Sequence, residues 1–234
     1  MVPRGVSESA SNGRFGRRRA DVDCIPTLPP SPFGSANMQQ PPRVFLASTS
    51  PRRRKILENY CPVVFRTQNA TPEEHPRSGN PDEVRRVVLA NARQKCLDAC
   101  QEIEKSGQWT EGVIVGADTL KTDGHRTYEK PRSMEEAVNF IKALAKPHQA
   151  ITGVCLLNLA TRQERCFTSV TTITLRPLDD AQIGALFAHM NPLDKAGAYN
   201  IDEGAEAVAN VEGSRTGAQG LPLEQFEVEL PLVC

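Results

Sequence analysis

The feature of this sequence that most constrains its fold is a short apolar run, Val113-Ile114-Val115, followed at once by Gly116-Ala117-Asp118-Thr119. Three consecutive β-branched residues predict a strand, here residues 111–119, that is buried on both faces. Such a strand requires a cover on each side of its sheet. A sheet with one face in water therefore does not fit this part of the chain, and a layered α/β domain is indicated.

Helices and strands alternate along the rest of the chain. The strands predicted are residues 43–47, 63–67, 150–159 and 167–175, and the helices are residues 52–60, a long helix from 80, 133–144 and 178–189. The last two strands are rich in β-branched residues and are predicted to form an antiparallel hairpin. Two helix starts carry a capping-box pattern, Asn80 with Glu83 and Ser133 with Glu136. The expected fold class is α/β, a mixed twisted sheet with flanking helices.

Residues 1–42 differ from the rest in composition. Gly, Ser and Pro are frequent, and three arginines stand together at 17–19. Such a segment buries too little apolar surface to offset the entropy of ordering it, so it is predicted to be a disordered extension before one domain at residues 43–234. Its arginine content is also that of an organelle transit peptide, but composition favours an extension on a cytosolic protein.

Charge and hydropathy argue against two classes of partner. The chain has 28 Lys and Arg residues against 28 Asp and Glu residues, a formal net charge of zero. No nucleic-acid partner is expected, because nonspecific nucleic-acid binding depends on bulk positive charge. A membrane-spanning helix needs about 18 apolar residues. The best candidate, residues 151–160, is shorter and contains Asn158, so no membrane partner is expected.

The seven cysteines are an odd number, are widely spread and include no Cys-x-x-Cys pair. This usage is typical of free thiols in a reducing compartment and predicts a cytoplasmic protein. Cys96 and Cys100, four residues apart on a predicted helix, are either half of a metal site or two ordinary packed thiols. The second interpretation is favoured, since no His or second cysteine pair lies near them in sequence.

The first candidate site is the segment Ser48-Thr49-Ser50-Pro51-Arg52-Arg53-Arg54-Lys55, in which a strand ends and a helix begins. A helix N-terminus has free backbone N–H groups and positive potential, so it attracts anions. Cations normally avoid the first helical turn, and their presence here indicates a polyphosphate partner rather than a solvated basic face. The Gly-Lys-Ser/Thr loop of a Walker A motif is absent.

Two further segments follow the buried strand. Asp118 stands where ligands bind in α/β folds, and it either binds a divalent cation, activates a water or caps a turn. Lys130, held next to Pro131, either reaches a phosphate or lies on the surface. His148 is interpreted as a structural residue that forms hydrogen bonds.

The last candidate is Asp194-Lys195-Ala196-Gly197-Ala198-Tyr199, in which small residues let the backbone approach a ligand. Tyr199 either stacks on or walls off a base, or packs in a tight loop on the sheet.

Taken together, these segments occur in the order seen in one protein family. The full set is Leu46-Ala47-Ser48-Thr49-Ser50-Pro51-Arg52-Arg53, Gly116-Ala117-Asp118-Thr119, Glu129-Lys130-Pro131, Thr152-Gly153-Val154 after His148, Asp194-Lys195-Ala196-Gly197-Ala198-Tyr199 and Gly220-Leu221-Pro222. Over residues 43–226 the chain resembles the Maf family of nucleoside triphosphate pyrophosphatases. The resemblance implies a fold related to the inosine triphosphatases, hydrolysis of a nucleoside triphosphate to monophosphate and pyrophosphate, a divalent metal cation (Mg²⁺ or Mn²⁺) and a cytosolic homodimer.

The resemblance also implies roles for individual residues. Those implied as catalytic are Asp118, Lys130 and Glu73, and those implied as metal ligands are Asp118 and Glu73, with the division between metal ligand and general base left open. Those implied as substrate-binding are Ser48, Arg52, Arg53, Lys95, Asp194, Lys195, Tyr199 and Asp202. Such a set fits attack by water on phosphorus, which needs cations to neutralise charge and carboxylates to hold a metal or orient the water.

The chain departs from the family pattern in three places. Asn200-Ile201-Asp202 replaces the Gly-Ile-Gln that follows Tyr in the thymidine/uridine type, and an ionised Asp only accepts where Gln both donates and accepts. Thr216-Gly217-Ala218-Gln219 replaces Asn-Val-Val. The C-terminal segment 225–234 contains Pro231, so the last helix is expected to be truncated or altered.

Two functions from different classes follow from these residues. The main hypothesis is a metal-dependent pyrophosphatase that removes unwanted or modified nucleoside triphosphates, with a pyrimidine triphosphate as the expected substrate because residues 194–199 resemble the thymidine/uridine type. The rival is a nucleotide-binding regulator of cell division with little or no turnover, for which Asp202 and the altered C-terminus argue. A nucleic-acid role for the arginine runs ranks last, because no aromatic residue stands among them to stack on bases.

Overall fold

The computed structural model describes residues 43–66, 71 and 73–234. The predicted extension 1–42 and the predicted strand end at Thr67 lie outside the described residues. Within the described ranges the chain forms a seven-stranded sheet with parallel and antiparallel pairs and helices packed against it. The predicted α/β class with a mixed sheet is confirmed.

The strands are β1 Val44–Ala47, β2 Val63–Arg66, β3 Val113–Thr122, β4 Thr127–Tyr128, β5 His148–Asn158, β6 Glu164–Leu175 and β7 Val208–Glu212. The helices are α1 Pro51–Glu58, α2 Pro81–Ser106, α3 Met134–Ala143, α4 Asp180–His189, α5 Arg215–Ala218 and α6 Leu223–Glu229. Short 3₁₀ turns lie at Pro192–Asp194, Ala196–Ala198, Ala205–Ala207 and Leu230–Leu232. Helix α6 has seven residues and passes into the last turn, in line with the expected short C-terminal helix.

The strand predictions were too short at the polar ends. β3 runs to Thr122 and not to Thr119, because its residues 113–122 pair antiparallel with β5 over their whole length. Alternating polar residues read as a loop in the sequence, whereas ladder pairing keeps them extended. Strands β4 and β7 were not predicted, since each is short and gains its stability from pairing with a longer neighbour.

The helix starts were predicted correctly at Asn80 and Ser133, whose side chains accept hydrogen bonds from the first turns of α2 and α3. The reciprocal half of each capping box is different from the prediction. Glu83 accepts from Arg77 N and Ser78 Oγ, and Glu136 accepts from Arg132 N. Both glutamates therefore tie down the segment before the helix rather than the cap residue itself.

The strand pairing along one edge of β3 is interrupted. The sheet order is β2-β1-β3-β5-β6-β7, and β4 also pairs with β3. Because β5 covers the whole of one edge of β3, β1 and β4 share the other: β1 pairs with Val113 to Gly116, and β4 with Lys121 and Thr122. Residues 117–120 lie between them, and no described strand pairs with them on that edge.

Helix α2 lies directly on β3 and β5 because two glycines let the backbones meet. A Cβ atom on Gly116 would lie 2.1 Å from Ala92 O, and one on Gly153 would lie 2.5 Å from Val88 O. Val88 and Ala92 are one helical turn apart, so both contacts fall on one face of the helix. This approach sets the distance between α2 side chains and the open edge of β3.

The cysteines depart in one respect from the prediction of free thiols. Cys155 on β5 and Cys166 on β6 are register partners with Cα atoms 4.2 Å apart, and they form a disulfide. Strand register brings them together, which their spacing in the sequence does not reveal. The other cysteines in the described part of the chain are free thiols: Cys61, Cys96, Cys100 and Cys234.

Among the described residues, no helix has both the length and the apolar character needed to cross a membrane.

We expect Gly153→Ala to lower the free energy of unfolding by roughly 1–3 kcal/mol or more, because the added methyl group would overlap a helix backbone that has no room to move. Gly184, within α4, is the matched control, since nothing lies within 4 Å of a Cβ built there. Gly184→Ala should raise the free energy of unfolding by about 0.5–1 kcal/mol. Urea unfolding followed by circular dichroism measures both, and a Gly153→Ala variant as stable as the wild type would contradict the close packing.

Candidate active site

A cavity of about 550 Å³ opens at the interruption in the edge of β3. Ten of the eleven residues selected from the sequence line it: Ser48, Arg52, Arg53, Glu73, Lys95, Asp118, Lys130, Asp194, Lys195 and Tyr199. These residues come from the start of α1, the loop before α2, α2 itself, β3, the segment after β4 and the loop after α4. The structure thus brings together side chains that are far apart in the sequence.

Arg53 joins the start of α1 to the sheet. Its Nη1 donates to Ser48 Oγ at 3.2 Å, its Nη2 to Thr119 Oγ1 at 2.9 Å, and its Nε to Gly220 O at 2.9 Å. A Cβ on Gly220, which has φ +112°, would lie 2.9 Å from Arg53 Nε, so glycine leaves the space that the guanidinium fills. The guanidinium is held in place without a carboxylate partner in the described part of the chain.

A chain of hydroxyl groups continues from Arg53 across β3 and β5. Thr152 Oγ1 donates to Gly217 O at 2.8 Å, and Thr119 Oγ1 lies 2.9 Å from Thr152 Oγ1. Since the Thr152 proton is committed to a carbonyl, Thr119 donates to Thr152 and accepts from Arg53. The start of α1 and helix α5 are therefore connected through the sheet surface that faces the cavity.

The carboxylates face α2. Asp118, 8% exposed, accepts at Oδ1 from Lys95 Nζ at 3.0 Å and at Oδ2 from Asn91 Nδ2 at 2.9 Å. Lys95 Nζ also lies 2.6 Å from Glu73 Oε1 and 3.3 Å from Ala117 O. Lys95 thus holds two carboxylates together rather than offering a free charge.

Arg53 and Asp118 are close enough to affect each other. Burial lowers the pKa of Arg53, and the Asp118 carboxylate is the largest influence that opposes this shift. Asp118 lies within β3, not at its end as the sequence predicted, and it lines the same cavity as Arg53, as expected if both contact one ligand.

The loop after α4 contributes a second lysine that is already neutralised. Lys195 Nζ lies 2.7 Å from Asp194 Oδ1 and 3.0 Å from Glu203 Oε2, and it donates to Asn191 O at 3.0 Å. Its side chain is 4% exposed. The residues Asp194 and Lys195 thus form a rigid wall whose charges cancel locally.

Tyr199 lines the cavity beside Lys121, and His148 contacts Tyr199 from outside the set of lining residues. His148 Nδ1 lies 2.9 Å from Lys146 O, a group that only accepts, so Nδ1 carries the proton and Nε2 accepts from Tyr199 Oη at 2.5 Å. Burial lowers the pKa of His148 to about 4 and raises that of Tyr199. The pair is therefore neutral at pH 7, and His148 has the structural role that the sequence indicated.

The placement of Tyr199 bears on its proposed contact with a base. The residue is 2% exposed, and Lys121 Nζ lies 3.2 Å from the centroid of its ring. That face of the ring is covered by Lys121, so Tyr199 walls the cavity and does not offer that face for stacking.

Asp202 is the one selected residue that does not line the cavity. Its Oδ2 accepts from Gln219 Nε2 at 2.5 Å, and its Oδ1 lies 3.4 Å from Arg215 Nη2. Gln219 itself lines the cavity. The predicted contact of Asp202 with substrate stays a prediction, and in the structure Asp202 holds Gln219, which lines the cavity.

Sequence reasoning missed Asn91, Lys121 and Gln219. Asn91 precedes Lys95 by four residues on a predicted helix, so the shared face was detectable from spacing. Lys121 was missed because the predicted β3 ended at Thr119, and Gln219 because it lies in the segment 216–219 that departs from the family pattern. Lys130, which was selected, lines the mouth of the cavity and is exposed.

The charges around the cavity are unequal in their pairing. All six acids that line it have a cationic or histidine partner: Glu73, Glu74, Asp118, Glu129, Asp194 and Glu203. Of the cations that line it, Lys95 and Lys195 each contact two carboxylates. Four others have no carboxylate partner within the described ranges: Arg52, Arg53, Lys121 and Lys130. The cavity is therefore suited to a ligand with several negative charges.

The residues present also fit a divalent cation. Asp118 and Glu73 are oxygen donors that already bracket one positive charge, the ammonium of Lys95. Mg²⁺ and Mn²⁺ prefer such hard oxygen ligands and commonly take one or two carboxylates together with substrate phosphates. The cysteine pair Cys96 and Cys100 does not form part of any three-member ligand group in the described part of the chain.

The cavity lies beside the N-terminus of α1 and is lined both by unpaired cations and by the carboxylates of Asp118 and Glu73, groups that suit a polyphosphate and a divalent cation. The chain belongs to the family described as Maf-like protein, whose family model matches residues 43–231. This confirms the family that the motifs indicated.

Several similar proteins carry the name dTTP/UTP pyrophosphatase. The protein of that name from Carboxydothermus hydrogenoformans is 36% identical over 192 residues, which cover 80% of this chain and 97% of the relative. That from Xanthomonas euvesicatoria is 36% identical over 184 residues, 77% of this chain and 93% of the relative. That from Bacteroides fragilis is 31% identical over 193 residues, 80% of this chain and 94% of the relative.

Proposed function

We propose that the protein hydrolyses a nucleoside triphosphate, dTTP or UTP, to the monophosphate and pyrophosphate. The observation that carries the proposal is the single cavity in which Arg52 and Arg53 face the Asp118–Glu73 pair. The relatives named dTTP/UTP pyrophosphatase support it, since each aligns with most of this chain. Removal of unwanted nucleotides from the cellular pool is the role that fits this chemistry.

The triphosphate binds through the cations that have no carboxylate partner. Arg52, Arg53 and Ser48 lie at the start of α1, where backbone N–H groups and the helix dipole add to the attraction. Lys130, which is exposed, also lines this cavity. These groups neutralise the charge that develops on the departing pyrophosphate.

The carboxylates act on the water that attacks the α-phosphorus. Asp118 and Glu73 would hold the divalent cation, which supplies Lewis-acid polarisation of a phosphoryl oxygen when bound. Both oxygens of Asp118 are engaged by Lys95 and Asn91, whereas Glu73 contacts Lys95 alone among the described residues. We therefore assign anchoring to Asp118 and acceptance of the water proton to Glu73.

The base preference follows from Gln219. An ionised Asp202 only accepts hydrogen bonds, so it holds the Gln219 amide with its NH₂ group toward the carboxylate and leaves Oε1 as a free acceptor. Uracil and thymine present an N–H donor at N3, whereas cytosine presents an acceptor there. The held amide thus favours UTP and dTTP over CTP.

We place the protein in the cytoplasm as a homodimer. The buried free thiols Cys61, Cys96 and Cys100 favour a reducing compartment, whereas the Cys155–Cys166 disulfide counts against it. Val228 and Leu232, near the C-terminus, are 65% and 50% exposed and supply apolar surface for a second copy.

Asp118→Asn should lower kcat for pyrophosphate release from UTP by roughly 10²–10⁴-fold, because the amide is neutral and both removes a metal ligand and weakens the hold on Lys95. Its melting temperature should stay close to that of the wild type, since Asn preserves shape. Asp180→Asn, on the exposed surface of α4, is the matched control and should have wild-type activity. A coupled pyrophosphate assay with Mg²⁺ or Mn²⁺ measures the activity of the wild type and of both variants, and a thermal melt gives the melting temperatures. Full activity of Asp118→Asn would disprove the assignment.

Asp202→Asn should reduce the preference for UTP over CTP, expressed as the ratio of kcat/KM values, by roughly tenfold, which corresponds to about one hydrogen bond. The Asn side chain both donates and accepts, so the Gln219 amide becomes free to turn over. Steady-state kinetics with both nucleotides gives the ratio. If the ratio is unchanged, Gln219 does not read the base through Asp202.

A further inference from the structure

Lys121 is a buried cation for which the described part of the chain provides no acid. The residue is 4% exposed, and its Nζ donates to Tyr199 O at 2.9 Å. An ammonium group has three N–H donors, so two remain beyond this bond. Lys121 lines the same cavity as Arg53 and Asp118, yet neither the family motifs nor the mechanism above uses it.

The described residues around Lys121 form no ion pair with it. The loop after α4 contributes the Tyr199 ring and carbonyl, β5 contributes a neutral His148, and α3 is followed by Leu144, whose Cδ1 lies near the same glycine as the lysine stem. The charged group that influences Lys121 is Arg52, a second cation. Burial lowers the pKa of Lys121 well below its usual range, with Arg52 adding to the shift.

The fold nevertheless makes room for this side chain. Gly197 has φ +69°, and a Cβ built on it would lie 2.9 Å from Lys121 Cδ and 3.7 Å from Nζ. The glycine therefore provides the space through which the lysine reaches the cavity. A buried ammonium without a counter-charge destabilises the free protein, so an unfavourable group is here accommodated at a site that a ligand enters.

We propose that Lys121 is a substrate-binding residue whose ammonium pairs with the triphosphate of the bound nucleotide. The proposal rests on the proposed function. Lys121 lines the same cavity as Arg52 and Arg53, and Arg52, at the start of α1, is the charged group that acts on it. A nucleoside triphosphate carries about four negative charges at neutral pH. With Lys121, the unpaired cations Arg52, Arg53, Lys121 and Lys130 match that number.

This role differs from a structural one in its effect on stability. If Lys121 served the fold, its replacement would lower the stability of the free protein. A lysine kept for an anion has no counter-charge in the free protein, so its removal stabilises that state and weakens the anion complex. Replacement of Lys121 therefore raises the stability of the free protein and lowers the affinity for the anion only if the charge serves a ligand.

The test compares the wild type with Lys121→Met, which has a similar length and no charge, and uses inorganic tripolyphosphate as a probe without a base. Lys105→Met, on the exposed last turn of α2, is the matched control. Thermal melts without ligand should place Lys121→Met about 3–6 °C above the wild type. Calorimetric titration in EDTA should show binding of tripolyphosphate weakened at least about tenfold by Lys121→Met and unaffected by Lys105→Met.

Unchanged binding of tripolyphosphate by Lys121→Met would overturn the proposal, as would a variant that binds normally and melts below the wild type. Weakened binding of UTP with unchanged binding of tripolyphosphate would move the contact to the base and also overturn it. If Lys121→Met does not fold, Lys121→Gln is judged by the same readouts.

Pyrophosphate release from UTP is measured on the same samples to separate this proposal from the proposed function. A wild type that binds tripolyphosphate through Lys121 and releases no pyrophosphate would leave the Lys121 contact standing and refute the enzyme. A wild type that releases pyrophosphate, together with a Lys121→Met variant that binds tripolyphosphate as tightly as the wild type, would support the enzyme and refute the Lys121 contact.

Discussion

The open segment on one edge of β3 is the constraint on which the site depends. β1 and β4 pair with the two ends of that edge and leave residues 117–120 between them without a strand. Backbone polar groups there need other partners, and Lys95 Nζ supplies one by donating to Ala117 O. The same gap is where polar side chains from neighbouring elements gather to line the cavity.

The division of charge within this cavity follows from how each side chain is held. Two buried lysines each form ion pairs with two carboxylates: Lys95 on α2 and Lys195 in the loop after α4. Arg53 is held instead by neutral groups, namely Ser48, Thr119 and the Gly220 carbonyl. Its positive charge is therefore left for a ligand while its geometry is already fixed, which lowers the entropic cost of binding.

The features of the fold and the site that the sequence predicts are those set by residues close together in the chain. Local signals, such as the cap at Asn80 and the apolar run Val113–Val115, placed helices and the central strand correctly. The family motifs then selected residues that meet in one cavity. Neither the local signals nor the motifs predict strand register, because it depends on pairing between strands. The register extends β3 to include Lys121, and it places Cys155 opposite Cys166. The exchange of roles between Asp202 and Gln219 also depends on a tertiary contact that no spacing rule encodes.

The central claim is that the arginines at the start of α1 and the carboxylates beside α2 act on opposite parts of one triphosphate. A crystal structure with a UTP analogue carrying an imido bridge between the α- and β-phosphorus atoms tests it directly, since that analogue resists cleavage. The account predicts the β- and γ-phosphates within hydrogen-bond distance of Arg52 and Arg53, and the α-phosphorus facing Asp118 and Glu73. A nucleotide bound outside this cavity, or one with its base against Arg53, would contradict it.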